Sequence, residues 1–254
     1  MNHIRTAKIC LLFLLAACNR QTEGFTSAEL DIINGTDSIM RVLTIEDPED
    51  LAVLRASSTD LSYEMLTSPE YEKLAELMVA TVTHPSQDGV GIAGPQVGLN
   101  RRVVAVQRFD KEPVLRGDKL DHPFEVYPNI RIVWASDSLA AGPEGCLSVP
   151  DRRGEVLRSQ EIVIEYTSVP AGSAEAHPAG NNNIAHPTEN TAAACPTEGS
   201  SAAYQTGSSA SACPTGGSSA ACLPTVRDTV RGFTAVIFQH EIDHLDGILY
   251  IDRL

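Results

Sequence analysis

Aromatic side chains are scarce in this 254-residue chain: they make up 5% of it, with a single tryptophan. Basic residues are few as well, 19 against 33 acidic ones, for a formal net charge of -14 and an isoelectric point near 4.8. Such a chain repels phosphate backbones, which argues against nucleic acid as a partner. Beyond the N-terminus no apolar run is long enough to span a bilayer. The six cysteines do not form the compact, even framework of a small disulfide-stapled domain. What is present is a 43% hydrophobic content over 254 residues, enough for one sizeable core.

The N-terminus reads as a targeting segment rather than as fold. Arg5 and Lys8 precede a short apolar run, Ile9 to Leu15, and then Ala16, Ala17 and Cys18. That order suits a signal peptide. Leu15-Ala16-Ala17-Cys18 resembles a bacterial lipobox, in which the cysteine takes the lipid and becomes the mature N-terminus. The expectation is a signal over residues 1–18 with Cys18 as lipidation site, a polar tether over 19–41, and a folded domain over 42–254 held at the cell envelope by a lipid anchor. Translation starting at Met40 is the alternative and would leave a cytoplasmic protein.

Within the domain, Leu74, Leu77, Met78 and Val82 have helical spacing, which predicts a helix over 71–82. Gly89 to Gly98 reads as a glycine-rich loop. Strands are predicted over Arg102–Gln107, Ile130–Trp134 and Glu161–Tyr166, the last from alternation of apolar and charged residues. Composition then shifts. Ala171 to Cys222 is rich in Ala, Ser, Gly, Thr, Pro and Asn, and Cys195-Pro196-Thr197-Glu198-Gly199-Ser200-Ser201-Ala202 recurs as Cys213-Pro214-Thr215-Gly216-Gly217-Ser218-Ser219-Ala220. It has too little large apolar surface to offset ordering entropy, so 171–222 reads as a disordered low-complexity insertion whose ends need only meet in space. From Phe233, apolar residues and histidines share one helical stripe (Phe233, Val236, Ile237, His240, His244), with Gly247 placed to end the helix and Ile248 to Ile251 leaving as an extended piece.

The strongest chemical signal is His240-Glu241-Ile242-Asp243-His244. Histidines four apart on a helix face the same way and can grip one metal ion, with Glu241 beside them within reach of a water on that ion. Catalytic metal sites take three protein ligands and keep one position open. Tyr250 stands where a metzincin protease would place a third histidine, and too few residues follow His244 for a glutamate from a later helix. The third ligand therefore lies upstream, and Cys146 in Glu144-Gly145-Cys146-Leu147-Ser148 is the candidate, since a thiolate binds iron or zinc strongly. A third element, Gly89-Val90-Gly91-Ile92-Ala93-Gly94-Pro95-Gln96, combines glycines that admit a substrate backbone with an amide able to donate to an oxyanion.

In this order the three elements resemble the peptide deformylases, from about Val42 to Leu254 with the insertion between. Ile92 and Gly94 depart from the leucine and alanine usual in the first motif, and the insertion precedes the metal-binding helix, whose packing it could loosen. The resemblance implies an α+β fold with antiparallel sheets around the helix that carries the histidines. It implies a divalent cation on Cys146, His240 and His244, typically ferrous iron, with zinc, nickel or cobalt able to replace it. Glu241 would take a proton from the metal-bound water and deliver it to the departing amine. Gln96 and the backbone N–H of Leu147 would stabilise the oxyanion, Gly91 would hydrogen-bond the substrate backbone, and Phe233, Val236 and Ile237 would line the methionine pocket. The implied protein is a monomer that removes the formyl group from N-formylmethionyl peptides. A related metal-dependent amidase or peptidase, and a catalytically silent binder of formylated peptides, are the alternatives.

Overall fold

The computed structural model describes residues 24–116, 119–169 and 223–254. The N-terminal signal and the low-complexity insertion lie outside the described residues. Among the described residues five α-helices form: α1 (Ser27–Asn34), α2 (Pro48–Leu54), α3 (Tyr63–Leu66), α4 (Pro69–Val82) and α5 (Gly232–Leu245). Ten strands accompany them: β1 (Gly91–Ala93), β2 (Val103–Gln107), β3 (Val114–Arg116), β4 (Lys119–Asp121), β5 (Phe124–Pro128), β6 (Arg131–Ala135), β7 (Leu139–Cys146), β8 (Val149–Ser159), β9 (Glu161–Thr167) and β10 (Thr225–Arg231). The pairing is antiparallel in two three-stranded sheets, ordered β1-β2-β5 and β10-β9-β6, and in two hairpins, β3-β4 and β7-β8. This is the expected α+β architecture.

β2 lies between two cores, which is why its five residues are all buried. Val103 and Ala105 face one cluster with Leu74, Met78 and Val82 of α4. Val104 and Val106 face a second, where Phe238, Ile242 and Leu245 of α5 meet Tyr127 of β5 and Ile162 and Ile164 of β9. A strand buried on both faces reads as a continuous apolar run, as Val103-Val104-Ala105-Val106 does. β9 has one face inward and its burial alternates accordingly. The central helix thus closes the space between the sheets, and its ends are set by backbone geometry. Gly247 follows the C-cap at φ 73°, and a Cβ there would strike the carbonyl of Arg55.

Three expectations change. The segment read as a tether up to residue 41 contains α1, which is part of the fold. Thr26 and Glu29 form a reciprocal capping box, Ile33 is fully buried, and Glu29 pairs with Arg101. The glycine-rich stretch is not a plain loop: Gly91–Ala93 is an edge strand, and Gly94–Val97 a 3-10 helix ended by Gly98 at φ 88°. The C-terminus does not leave extended; Tyr250–Arg253 winds into a 3-10 helix because the Asp252 carboxylate accepts from the Leu249 N–H at 2.8 Å. β9 and β10, which precede and follow residues 170–222 in the chain, pair in a register that runs unbroken from Thr225↔Thr167 to Arg231↔Glu161. The two strands restore the chain path immediately before α5, so the helix starts from a fixed point.

Candidate active site

A cleft of about 740 Å³ lies between the free edge of β1 with the preceding turn on one side and the β7–β8 hairpin on the other, with α5 at its floor. Gly91, Gln96, Cys146, Leu147, Phe233, Val236, Ile237, His240 and Glu241 all line it. The geometry therefore brings together every site residue read from the sequence except Cys18, which is outside the described residues; His244, 1% exposed, joins them from beneath the cleft surface through its contact with Cys146.

At its centre are Cys146, His240 and His244, whose donor atoms all lie within 4.8 Å of one another. The helix supplies the histidines from one face. The cysteine comes from the end of β7, where a register shift between Gly145 and Cys146 breaks the regular pairing and re-aims the side chain. Cys146 Sγ is 3.2 Å from His244 Nε2. Donors about 2.3 and about 2.1 Å from a tetrahedral centre would be roughly 3.6 Å apart, so the spacing suits a cation with only a small outward shift. His240 donates through Nδ1 to Glu144 at 2.8 Å, which leaves its Nε2 for the cluster. The buried His244 Nδ1 and Glu241 Oε2 have no hydrogen-bond partner. A thiol and two imidazoles around one point, beside an unpaired buried carboxylate, fit a divalent ion well.

The electrostatics follow from burial and close neighbours. Burial pushes the Glu241 carboxyl up to about 7, against the opposing pull of His240. Burial also works against a charged His240, but hydrogen bonds to Cys146 and Glu144 prevail and raise it to about 10. Burial, with His240 beside it, holds His244 well below the usual histidine range. One positive charge is thus favoured within the cluster, which a bound cation would supply. Glu144 is held down to about 2: burial would raise it, and the hydrogen bonds from Arg158 and His240 outweigh that.

Sequence reasoning missed what stands behind His240. Arg158 donates to both oxygens of Glu144 at 2.7 and 3.0 Å and to Asp243 at 2.6 Å. Asp243 also receives Arg253 from the C-terminal 3-10 helix, and Tyr250 from that helix stacks on His240 with ring centroids 6.0 Å apart. Both acids stand in the motifs themselves, Glu144 two residues before Cys146 and Asp243 next to His244, and that position was the available signal. Gln96 is fixed in the same manner. Its Oε1 accepts from the Ala93 N–H at 2.8 Å, so its Nε2 faces the site, 3.6 Å from Cys146 Sγ and 3.3 Å from Ser148 Oγ. Gly91 has no room for a side chain, since a Cβ would come within 2.5 Å of Glu241 Oε1.

An α+β fold whose central helix joins two histidines and a buried glutamate to a cysteine on a hairpin has the layout of a mononuclear metallohydrolase. The chain matches the model of the polypeptide deformylase family over residues 39–179 and 224–254. It is 31% identical over 202 residues to peptide deformylase 2 of Gloeobacter violaceus, covering 80% of this chain and 74% of that one. It is 26% identical over 217 residues to the peptide deformylase of Leptospira biflexa, covering 85% and 88%. The Met-Ala-Ser-bound crystal structure of the class I type b peptide deformylase from Acinetobacter baumannii matches with a TM-score of 0.56 and 26% identity, over 86% of this chain and 100% of that one. The chain belongs to the polypeptide deformylase family, enzymes that remove the N-formyl group from peptides.

Proposed function

We propose that this protein hydrolyses the formamide of N-formylmethionyl peptides at a single divalent cation held by Cys146, His240 and His244, ferrous iron being the natural candidate and zinc, nickel or cobalt possible substitutes. When bound, that cation polarises the formyl oxygen and makes hydroxide available near neutral pH. Everything else falls to the chain. Glu241 Oε2, buried and unpartnered, holds the travelling proton: with a pKa near 7 it can accept one from water and hand it to the departing amine. Gln96 Nε2, oriented by Ala93, donates to the oxygen that gains charge, assisted by the Leu147 N–H. The free edge of β1 at Gly91 can pair with an extended peptide as an added strand. Phe233, Val236 and Ile237 along one side of α5 then receive the methionine side chain. The A. baumannii relative holds Met-Ala-Ser, which supports a peptide in this cleft.

The observation that carries the proposal is the unpaired Glu241 carboxylate against a three-donor cluster with Gln96 across from it. The test is turnover of formyl-Met peptides by anaerobically purified protein together with metal analysis. Glu241→Ala should lower turnover by a factor of about 10² to 10⁴ with metal retained. Cleavage of internal peptide bonds without deformylation would favour a peptidase, and binding of formyl peptides with no hydrolysis a silent binder.

We also propose that the chain is anchored at the cell envelope through lipid on Cys18. α1 supports a start upstream of Met40, because a chain beginning there would lose Phe25, Ile32 and Ile33 from the first core. Label from a palmitate analogue, lost in Cys18→Ser, is the expected result; unlabelled wild type would sink it.

A further inference from the structure

Arg152 and Arg153 stand apart from the other arginines. Among the described residues ten other arginines make ion pairs. These two make none with any described residue, in a chain with 14 more acidic than basic side chains. Both are exposed, and both line the cleft. They follow Asp151, a positive-φ residue (59°) in the irregular start of β8 beside the register shift, and Arg153 lies opposite Gly145 on the neighbouring strand. Gly145 has no side chain, and Arg153 occupies that space: its guanidinium carbon is 3.9 Å from where a Cβ would be, one residue before Cys146. The rim also carries Asp151 and, across the cleft, Asp88, and neither pairs with the arginines. Two guanidiniums left without carboxylates, beside the reacting centre, are fitted to take a carboxylate from the occupant.

Resting on the deformylase reading, we propose that Arg152 and Arg153 select formyl-methionyl peptides bearing a carboxylate within the few residues after the methionine. The carboxylate can belong to an acidic side chain or to the C-terminus of a short peptide. Partly exposed pairs of this kind contribute modestly, so the expected preference in kcat/KM is about three- to tenfold, falling as salt is added.

The experiment uses the full chain and four peptides: formyl-Met-Ala-Ser-amide, the same peptide with a free carboxylate, formyl-Met-Ala-Glu-amide and formyl-Met-Ala-Lys-amide. A gain for the second peptide identifies the chain terminus as the source, and a gain for the third identifies an acidic side chain; the lysine peptide should fall below the neutral one. In Arg152→Gln/Arg153→Gln the ratio of acidic to neutral peptide should drop to about one. Affinities for the same peptides, measured calorimetrically with Glu241→Gln, separate this proposal from the reading beneath it. Turnover of all four peptides at equal efficiency, or a preference that survives in the double variant, overturns the arginine pair. Discrimination in binding without turnover of any peptide overturns the deformylase reading and leaves the pair standing.

Discussion

Along α5 nearly every side chain from Thr234 to Leu245 is buried, whereas along β7 Glu144 alone is. Both elements supply donor side chains to the Cys146, His240 and His244 cluster. The helix is held by apolar packing: Ala235, Ile237, Phe238, Ile242 and Leu245 sit in the second core, with Phe238 edge-on to Tyr127 at 4.9 Å. The hairpin has only a small third cluster near Cys146, where Val149 and Val156 meet Leu249 and Tyr250, and it is pinned further by charge, through Glu144, Arg158 and Asp243. The site thus joins a wall fixed by non-directional burial to a wall fixed by a few directed ion pairs. The first should respond to lost volume and the second to lost charge.

The largest effect should come from the helical wall. Phe238→Ala removes a fully buried ring and should cost about 3–5 kcal/mol of unfolding free energy, measured by denaturant titration with chelator present. A loss below about 1 kcal/mol would mean that packing is not what holds α5. The contact between the walls comes next. In Gly91→Ala the new methyl group meets the Glu241 side chain, which must shift away from its present position. A displacement on that scale should lower kcat by about a hundredfold while the unfolding midpoint barely moves; wild-type kcat would show that the helix gives way instead. On the charged wall, Arg158→Met leaves Asp243 and Glu144, the acid that orients His240, without their shared partner. Metal affinity, read by competition with a chelator, should weaken tenfold to a hundredfold. Unchanged affinity would show that the hairpin is held by something other than these ion pairs.

The same division explains which parts were legible in the sequence. Apolar packing leaves a trace along the chain, so α4, α5 and β9 could be read from spacing, β2 from its continuous apolar run, and the candidate metal-ligand trio from histidines on the α5 stripe plus one upstream cysteine. The β7–β8 hairpin leaves none: Gly142, Pro143, Gly145 and Gly154 interrupt it, and its anchors pair residues as distant as Arg158 and Asp243. Ion pairs between residues 85 positions apart have no local pattern to find. α1 was different, because Thr26-Ser27-Ala28-Glu29 ahead of Leu30, Ile32 and Ile33 is a capping signal with an apolar face. It was overshadowed by the polar residues around it.

α1 offers the smallest and most selective test, since it combines both kinds of attachment in eight residues. Ile33 is buried in the first core, and Glu29 both caps the helix and pairs with Arg101. Burial alone would raise the Glu29 carboxyl, but Arg101 and the Thr26 backbone outweigh it and hold the group below its usual value of 4.5. A carboxylate whose folded pKa lies below its unfolded one contributes stability that is complete above about 4.5 and is lost as pH falls through the lower, folded value. Stability should therefore decline on acidification below about pH 4.5, with Glu29 contributing no more than about 1 kcal/mol to the fall. Glu29→Gln should lose that share at neutral pH and show a shallower acid slope, whereas Ile33→Val should lower stability equally at both pH values. If the two variants gave parallel pH curves, α1 would be held by packing alone and would belong, energetically, with α5 rather than with the hairpin.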